Sequence, residues 1–160
     1  MNTLIIFSSK HGTTEKCAFK LKEKLNTQTV VINVNAIKPD ELSKYENIVI
    51  GSSIYAGNIN KKMLKFINTN IDKIAEKNVF IFICSGIQDE KGHEQIKKVL
   101  PARLYESAEK IINFGYEYDF NSLNFFERKI IKLVSKVKES CSCINSDAID
   151  VLAESIKNCS

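Results

Sequence analysis

Thr3-Leu4-Ile5-Ile6-Phe7-Ser8-Ser9-Lys10-His11-Gly12-Thr13-Thr14-Glu15-Lys16 is the stretch that decides the fold. An apolar run of strand type ends in a short, hydroxyl-rich loop with one glycine, and a helical spacing begins at once. A strand that feeds a helix through such a loop aims backbone N–H groups and the positive end of a helix dipole at one spot. That spot suits an anion, most often a phosphate. The Gly-x-x-x-x-Gly-Lys-Ser/Thr spacing of nucleotide loops and the Gly-x-Gly-x-x-Gly of dinucleotide folds are both absent. What the loop offers is the hydroxyls of Ser8, Ser9, Thr13 and Thr14, with Gly12 where the backbone must approach a ligand closely. A terminal phosphate monoester fits these groups; a plain strand-to-helix turn is the alternative.

The same alternation continues along the chain. Strands are expected at 3–7, 29–34, 47–51, 78–84 and 110–116. Several are near-continuous apolar runs, as in parallel strands covered on both faces. Helices are expected at 14–26 (Cys17, Ala18, Leu21 and Leu25 on one face), at 60–75 (Met63, Phe66, Ile67, Ile71, Ile74), at 93–100 with Pro101 as the stop, and at 147–158 (Ile149, Leu152, Ala153, Ile156). The crossover 35–46, with Pro39, reads as a loop holding one helical turn. Strands alternating with helices predict one doubly wound α/β domain over 1–160. The expected sheet is parallel and five-stranded, of order 2-1-3-4-5, with its ligand crevice at the carboxyl ends of strands 1 and 3.

A chain of 160 residues, 44% hydrophobic and 26% charged, can bury a core of its own. No apolar run approaches the roughly 20 residues of a membrane helix. The first strand starts at residue 3, leaving no room for a signal peptide, so a cytoplasmic location is expected. The net charge of +4 is too small to imply nucleic acid binding. Five cysteines, an odd number, do not make a disulfide scaffold. Cys141-Ser142-Cys143 offers a metal-binding or redox pair, or two ordinary thiols in a loop; no zinc set stands nearby, and no metal is expected.

Two further loops leave the same sheet edge. Gly51-Ser52-Ser53-Ile54-Tyr55-Ala56-Gly57-Asn58 combines small residues with one aromatic, Tyr55, suited to stack on a flat ring. Cys84-Ser85-Gly86-Ile87-Gln88-Asp89 is small and polar after an apolar strand. Three close-approach loops at one edge predict a flat ligand with a phosphate tail.

Ser9-Lys10-His11-Gly12-Thr13-Thr14 resembles the flavodoxin phosphate loop, with His11 where a threonine is usual. Val49-Ile50-Gly51-Ser52-Ser53-Ile54-Tyr55-Ala56-Gly57 resembles the loop that borders the flavin ring. Leu123-Asn124-Phe125-Phe126-Glu127-Arg128-Lys129-Ile130-Ile131-Lys132 is similar to the branch that contains the bacterial menaquinone-dependent protoporphyrinogen oxidase. Asn58-Ile59 departs from the aromatic and histidine residues of that branch. The resemblance implies a flavodoxin-like three-layer sandwich that binds FMN. It places Ser9, Lys10, His11, Gly12, Thr13 and Thr14 on the phosphate, Ser53, Ile54, Tyr55, Ala56 and Gly57 beside the isoalloxazine, and Ser85 and Gly86 on its other side. The redox chemistry then belongs to the flavin, and no catalytic side chain is required.

The resemblance implies two roles: an FMN oxidoreductase that dehydrogenates protoporphyrinogen IX and passes electrons to a quinone, or an electron-transfer flavoprotein serving a soluble redox partner. Flavodoxins are strongly acidic, whereas this chain is net basic. Segment 121–140 sets Arg128, Lys129, Lys132, Lys136 and Lys138 against Glu127 and Glu139, with an apolar face of Leu123, Phe126, Ile130, Leu133 and Val137. Such a helix suits an anionic membrane surface or an acidic substrate such as a porphyrin, and equally a helix packed on the sheet with a solvated basic face. A signalling receiver on the same architecture would need acids where Ser8-Ser9 and Ile50-Gly51-Ser52 stand. A flavin-binding module without redox function is the remaining reading.

Overall fold

The computed structural model describes residues 2–25, 28–87, 89–119, 125, 126, 128, 129, 132 and 139–159. Strands β1 (Asn2–Phe7), β2 (Gln28–Asn33), β3 (Asn47–Ser53), β4 (Asn78–Cys84) and β5 (Ala108–Asn113) pair in parallel in the order β2-β1-β3-β4-β5. This is the expected sheet. Its three central strands are buried almost end to end, which is why their sequences run apolar without alternation.

The side chains nevertheless alternate between two layers. Leu4, Ile6, Ile48, Ile50, Ile81 and Ile83 point to one side, where they meet Leu42 of a 3₁₀ turn (Pro39–Lys44), Met63, Ile67 and Ile74 of α2 (Lys61–Ala75), Ile96 of α3 (Glu90–Val99) and Leu104 of α4 (Ala102–Ser107). Ile5, Phe7, Val49, Phe80 and Phe82 point to the other. There they pack on Cys17, Ala18, Leu21 and Leu25 of α1 (Thr13–Leu25) and on Ile149, Leu152, Ala153 and Ile156 of α5 (Ser146–Asn158). At the amino ends of the strands Thr3, Asn47 and Asn78 lie in one row. Asn47 Nδ2 donates to Thr3 Oγ1 at 3.3 Å and Asn78 Nδ2 donates to Asn47 Oδ1 at 2.9 Å, so these polar groups satisfy one another.

Three expectations need correction. Residues 110–116 are not one strand. β5 ends at Asn113, Phe114 turns into the core, and β6 (Gly115–Tyr118) leaves in a new direction to pair antiparallel with β7 (Cys141–Ile144). The break has a cause at each position. The Phe114 ring stacks on Phe82 with centroids 4.6 Å apart, Gly115 adopts φ 83°, and Asn113 Oδ1 accepts the Gly115 amide at 2.9 Å. Cys141-Ser142-Cys143 accordingly lies in a strand rather than a loop. The third helix starts at Glu90, three residues before the expected 93, because Asp89 caps it by accepting the Gly92 amide. Pro101 stops α3 as expected, but it also opens α4, which is too short to show a periodicity. The helix expected at 121–140 falls largely outside the described residues; Phe125, Phe126, Arg128, Lys129 and Lys132 are exposed. No helix among the described residues is long and apolar enough to cross a membrane.

Candidate functional site

Phe7, Gly51 and Phe82 are register partners across β1, β3 and β4, so the three following loops start side by side. The Ser8 amide donates to the Gly51 carbonyl at 3.0 Å, and the Ser8 and Ser52 hydroxyls lie 3.1 Å apart. Gly51 is required by close approach: a Cβ there would sit 2.2 Å from Phe82 Cζ.

In the first loop Gly12 takes φ 86°, a left-handed conformation that side chains rarely adopt. Its amide donates to Ser9 Oγ at 3.0 Å, and its carbonyl accepts the Lys16 amide at 2.9 Å, closing the first turn of α1. The leading amides of that helix have no intrahelical acceptor and face the loop. Thr14 is buried and Thr13 half-buried, whereas Lys10, His11 and Gly12 are exposed.

The second loop is a tight hairpin. Tyr55 and Asn58 exchange both backbone hydrogen bonds, at 2.9 and 3.1 Å, around Ala56 (φ 49°) and Gly57 (φ 78°). Positive φ at both central residues defines a type I′ turn. An alanine in this conformation is strained, a feature that clusters at ligand clamps. The turn lifts Tyr55 over the rim, with the Lys10 ammonium 4.5 Å from its ring centroid and the His11 ring 6.2 Å away.

The third loop is held by Asn113, a residue the sequence reading did not single out. Asn113 Oδ1 accepts the Ser85 amide at 3.2 Å, and its Nδ2 donates to the Ile87 carbonyl at 2.9 Å. Gly86 is thereby laid against the ribbon: a Cβ on it would meet Tyr118 Oη at 3.1 Å.

Twelve of the thirteen expected residues, all but Gly12, line one cavity of about 400 Å³ at this rim. That volume is within the range of small-molecule sites. The sequence reading missed its far wall, which consists of Tyr116, Glu117, Tyr118 and Asp119 of the ribbon. The Tyr116 and Tyr118 rings lie 4.9 Å apart. The ribbon is fastened to the first loop. Thr13 Oγ1 donates to the Glu117 carbonyl at 3.2 Å, and Lys16 Nζ sits 2.9 Å from the Glu117 carboxylate. The alternation Tyr116-x-Tyr118 was the available signal for a two-faced strand. Gln95 of α3 also lines the cavity; its Oε1 is buried and lacks a hydrogen-bond partner among the described residues.

Beneath the loops Cys17 and Cys84 are both buried. A hydrogen bond to Cys17, with burial next, pushes the Cys84 thiol well above the usual range. A neutral, buried thiol is a poor nucleophile. The described lining of the cavity presents hydroxyls, backbone amides and aromatic faces.

The Flavodoxin domain family matches residues 4–142. An uncharacterized protein of Methanocaldococcus jannaschii is 31% identical over 121 residues, covering 72% of this chain and 77% of its own. Protoporphyrinogen IX dehydrogenase (quinone) of Escherichia coli K12 is 33% identical over 78 residues, 46% of this chain and 42% of that enzyme. Among solved structures, a flavodoxin of Streptococcus pneumoniae TIGR4 superposes with a TM-score of 0.65 at 14% identity, covering 100% of both chains.

Proposed function

The chain belongs to the Flavodoxin domain family, which implies a flavin cofactor and electron-transfer or oxidoreductase chemistry, and we propose that the rim cavity holds FMN and serves a redox function. The observation that carries this is the meeting of three loops of different chemistry at one rim. The hydroxyl and amide loop Ser9–Thr14 at the start of α1 suits a phosphate monoester. The turn carrying Tyr55 and the segment Ser85-Gly86 suit the two sides of a flat ring, with Tyr116 and Tyr118 as a further aromatic wall. The unpaired Gln95 Oε1 suits a ring-edge N–H donor. Bound FMN supplies the electron chemistry itself. The chain's residues hold the phosphate, fix the ring and exclude water from it; none is assigned a catalytic role.

The test is direct. Protein purified with FMN in excess is expected to be yellow, to show oxidised-flavin absorbance after gel filtration, and to release FMN on heating. A colourless protein that takes up no FMN overturns the reading.

A finer reading is that the physiological reaction is protoporphyrinogen IX dehydrogenation with a quinone acceptor. It is supported by the 33% identity to the Escherichia coli enzyme over 78 residues. Turnover of protoporphyrinogen with menaquinone by the FMN-loaded protein, above a flavin-free control, is its test. The alternative, electron transfer to a protein partner, is supported by the open, charged surroundings of the cavity. A membrane contact through 121–140 and a cytoplasmic location remain proposals of the sequence, tested by sedimentation with anionic vesicles and by cell fractionation.

A further inference from the structure

A second, wider groove of about 1170 Å³ runs from the rim cavity between α3 and the amino end of α2. Lys10, Ser53, Tyr55, Gly57 and Gln95 line both spaces, so the groove is continuous with the proposed cofactor site. Its walls bear Lys10, Lys61, Lys62, Lys91 and Lys98, against the single carboxylate of Glu94. All six are exposed. On the ribbon wall the rim cavity carries the acids Glu117 and Asp119 instead, while Asp89 caps α3 beside Lys91. The positive charge is thus gathered on one flank.

Helix chemistry accounts for Lys98, in the last turn of α3, but not for the others. Lys61 and Lys62 occupy the first turn of α2, which holds no acidic residue, and Lys91 follows Glu90 at the start of α3. Cations at the positive end of a helix act against the dipole. Nor do they stitch the fold together: Lys61, Lys62, Lys91 and Lys98 form no ion pair with a carboxylate among the described residues. Small-molecule sites are concave and mostly apolar, with a few fixed polar groups. Ile59, Leu64 and Val99 also line this groove, but its charges are numerous, solvated and on long flexible stems. Such a surface steers and orients a large partner of opposite charge.

We infer that this lysine-lined groove is the docking surface for an acidic electron-carrier protein that exchanges electrons at the adjoining site. The inference rests on the cofactor reading above and names the partner class for it. Each encounter moves one electron from the reduced carrier's metal centre, which is oxidised, into this flavoprotein. Two encounters complete a two-electron reduction, with protons taken from solvent.

The experiment uses the full chain loaded with FMN and a plant-type two-iron, two-sulfur ferredoxin as the acidic probe. FMN uptake is read by quenching of flavin fluorescence. Docking is read separately, from backbone amide shifts of this protein on adding oxidised ferredoxin, and the rate from stopped-flow mixing with reduced ferredoxin. Shifts are expected at Lys61, Lys62, Lys91 and Lys98 and their neighbours. The second-order rate is expected to fall about tenfold or more with added salt, and by a similar factor in Lys61→Glu/Lys62→Glu/Lys91→Glu/Lys98→Glu. That variant is expected to keep FMN uptake and to melt close to the unchanged protein, since acids suit the first turns of both helices and offset the acid at Lys98 in the last turn of α3. Absence of these shifts, or a rate indifferent to salt and to the four substitutions, overturns the inference. So does saturable binding of citrate in the groove with no ferredoxin docking, which would make it a small-anion site. Loss of FMN uptake with ferredoxin docking intact would instead sink the cofactor reading and leave the docking surface standing.

Discussion

The rim loops and the β6–β7 ribbon close the same cavity from opposite sides, yet they are secured in different ways. The loops spring from β1, β3 and β4, whose carboxyl ends are held in register through the buried Phe7, Gly51 and Phe82. The ribbon has two four-residue strands that, Gly115 apart, are of intermediate to high exposure. It is anchored by the buried Phe114, by the Asn145 amide donating to the Phe114 carbonyl at 2.9 Å, and by the Thr13 and Lys16 contacts to Glu117. The difference teaches that one wall of the site is part of the core and the other is a strap laid over it. Damage to the buried base of the first is expected to appear as lost folding stability, and damage to the second, or to the exposed tips of the loops, mainly as altered ligand binding.

The largest effect is expected from Gly51→Ala. Its Cβ would overlap the Phe82 ring, and overpacking of this kind costs about 1–3 kcal/mol, read as a lower urea midpoint. Gly12→Val comes next. A branched side chain at φ 86° carries a penalty of about 1–2 kcal/mol, and it also disturbs the amides proposed to meet the phosphate. FMN affinity, measured by fluorescence titration, is expected to fall more than the melting temperature does. Equal loss at both would mean that the loop is merely structural. Lys16→Met tests the strap. The pair it removes is partly exposed, so stability should change by about 0.2–1 kcal/mol, and less in high salt. An unchanged FMN affinity would show that the ribbon holds its place without this tie.

The smallest effect sharpens the comparison through pH. Tyr116 is pushed up to about 12 by its hydrogen bond to Cys143, with burial a lesser cause. A group whose folded value is raised stabilises the fold fully below its unfolded value of about 10, and that contribution is lost as pH rises toward the folded value. Absorbance at 295 nm is expected to show one tyrosine ionising late in the native protein, and Tyr116→Phe to remove that late step. The window lies between about pH 10 and 12 and concerns the ribbon alone.

The same division governs what could be read from the sequence. Parallel strands buried on both faces announce themselves as apolar runs, so the five-stranded sheet and its rim loops followed from residues such as Leu4 to Phe7 and Val79 to Ile83. Glycine and hydroxyl residues clustered after such runs marked the loops. The ribbon left a weaker trace. Its pairing joins Gly115 to Ile144 and Tyr118 to Cys141, partners separated by a long stretch of chain, and four-residue strands give too few alternations to recognise. Phe114 extended the apolar run of β5 and hid the break, since a residue turned into the core looks like a residue within a strand. Asn113 was invisible for another reason: its role lies in three hydrogen bonds to backbone groups on two segments, which no local pattern encodes.

Gly51, Phe82 and Phe114 lie far apart along the chain but share one volume, because the glycine cedes its side-chain space to a ring that lies flat on another ring. Drift at any of the three is therefore constrained by the other two. Homologues with a bulkier residue at 51 are expected to carry a slimmer one at 82, so that aligned relatives would show the exchange as a correlated pair.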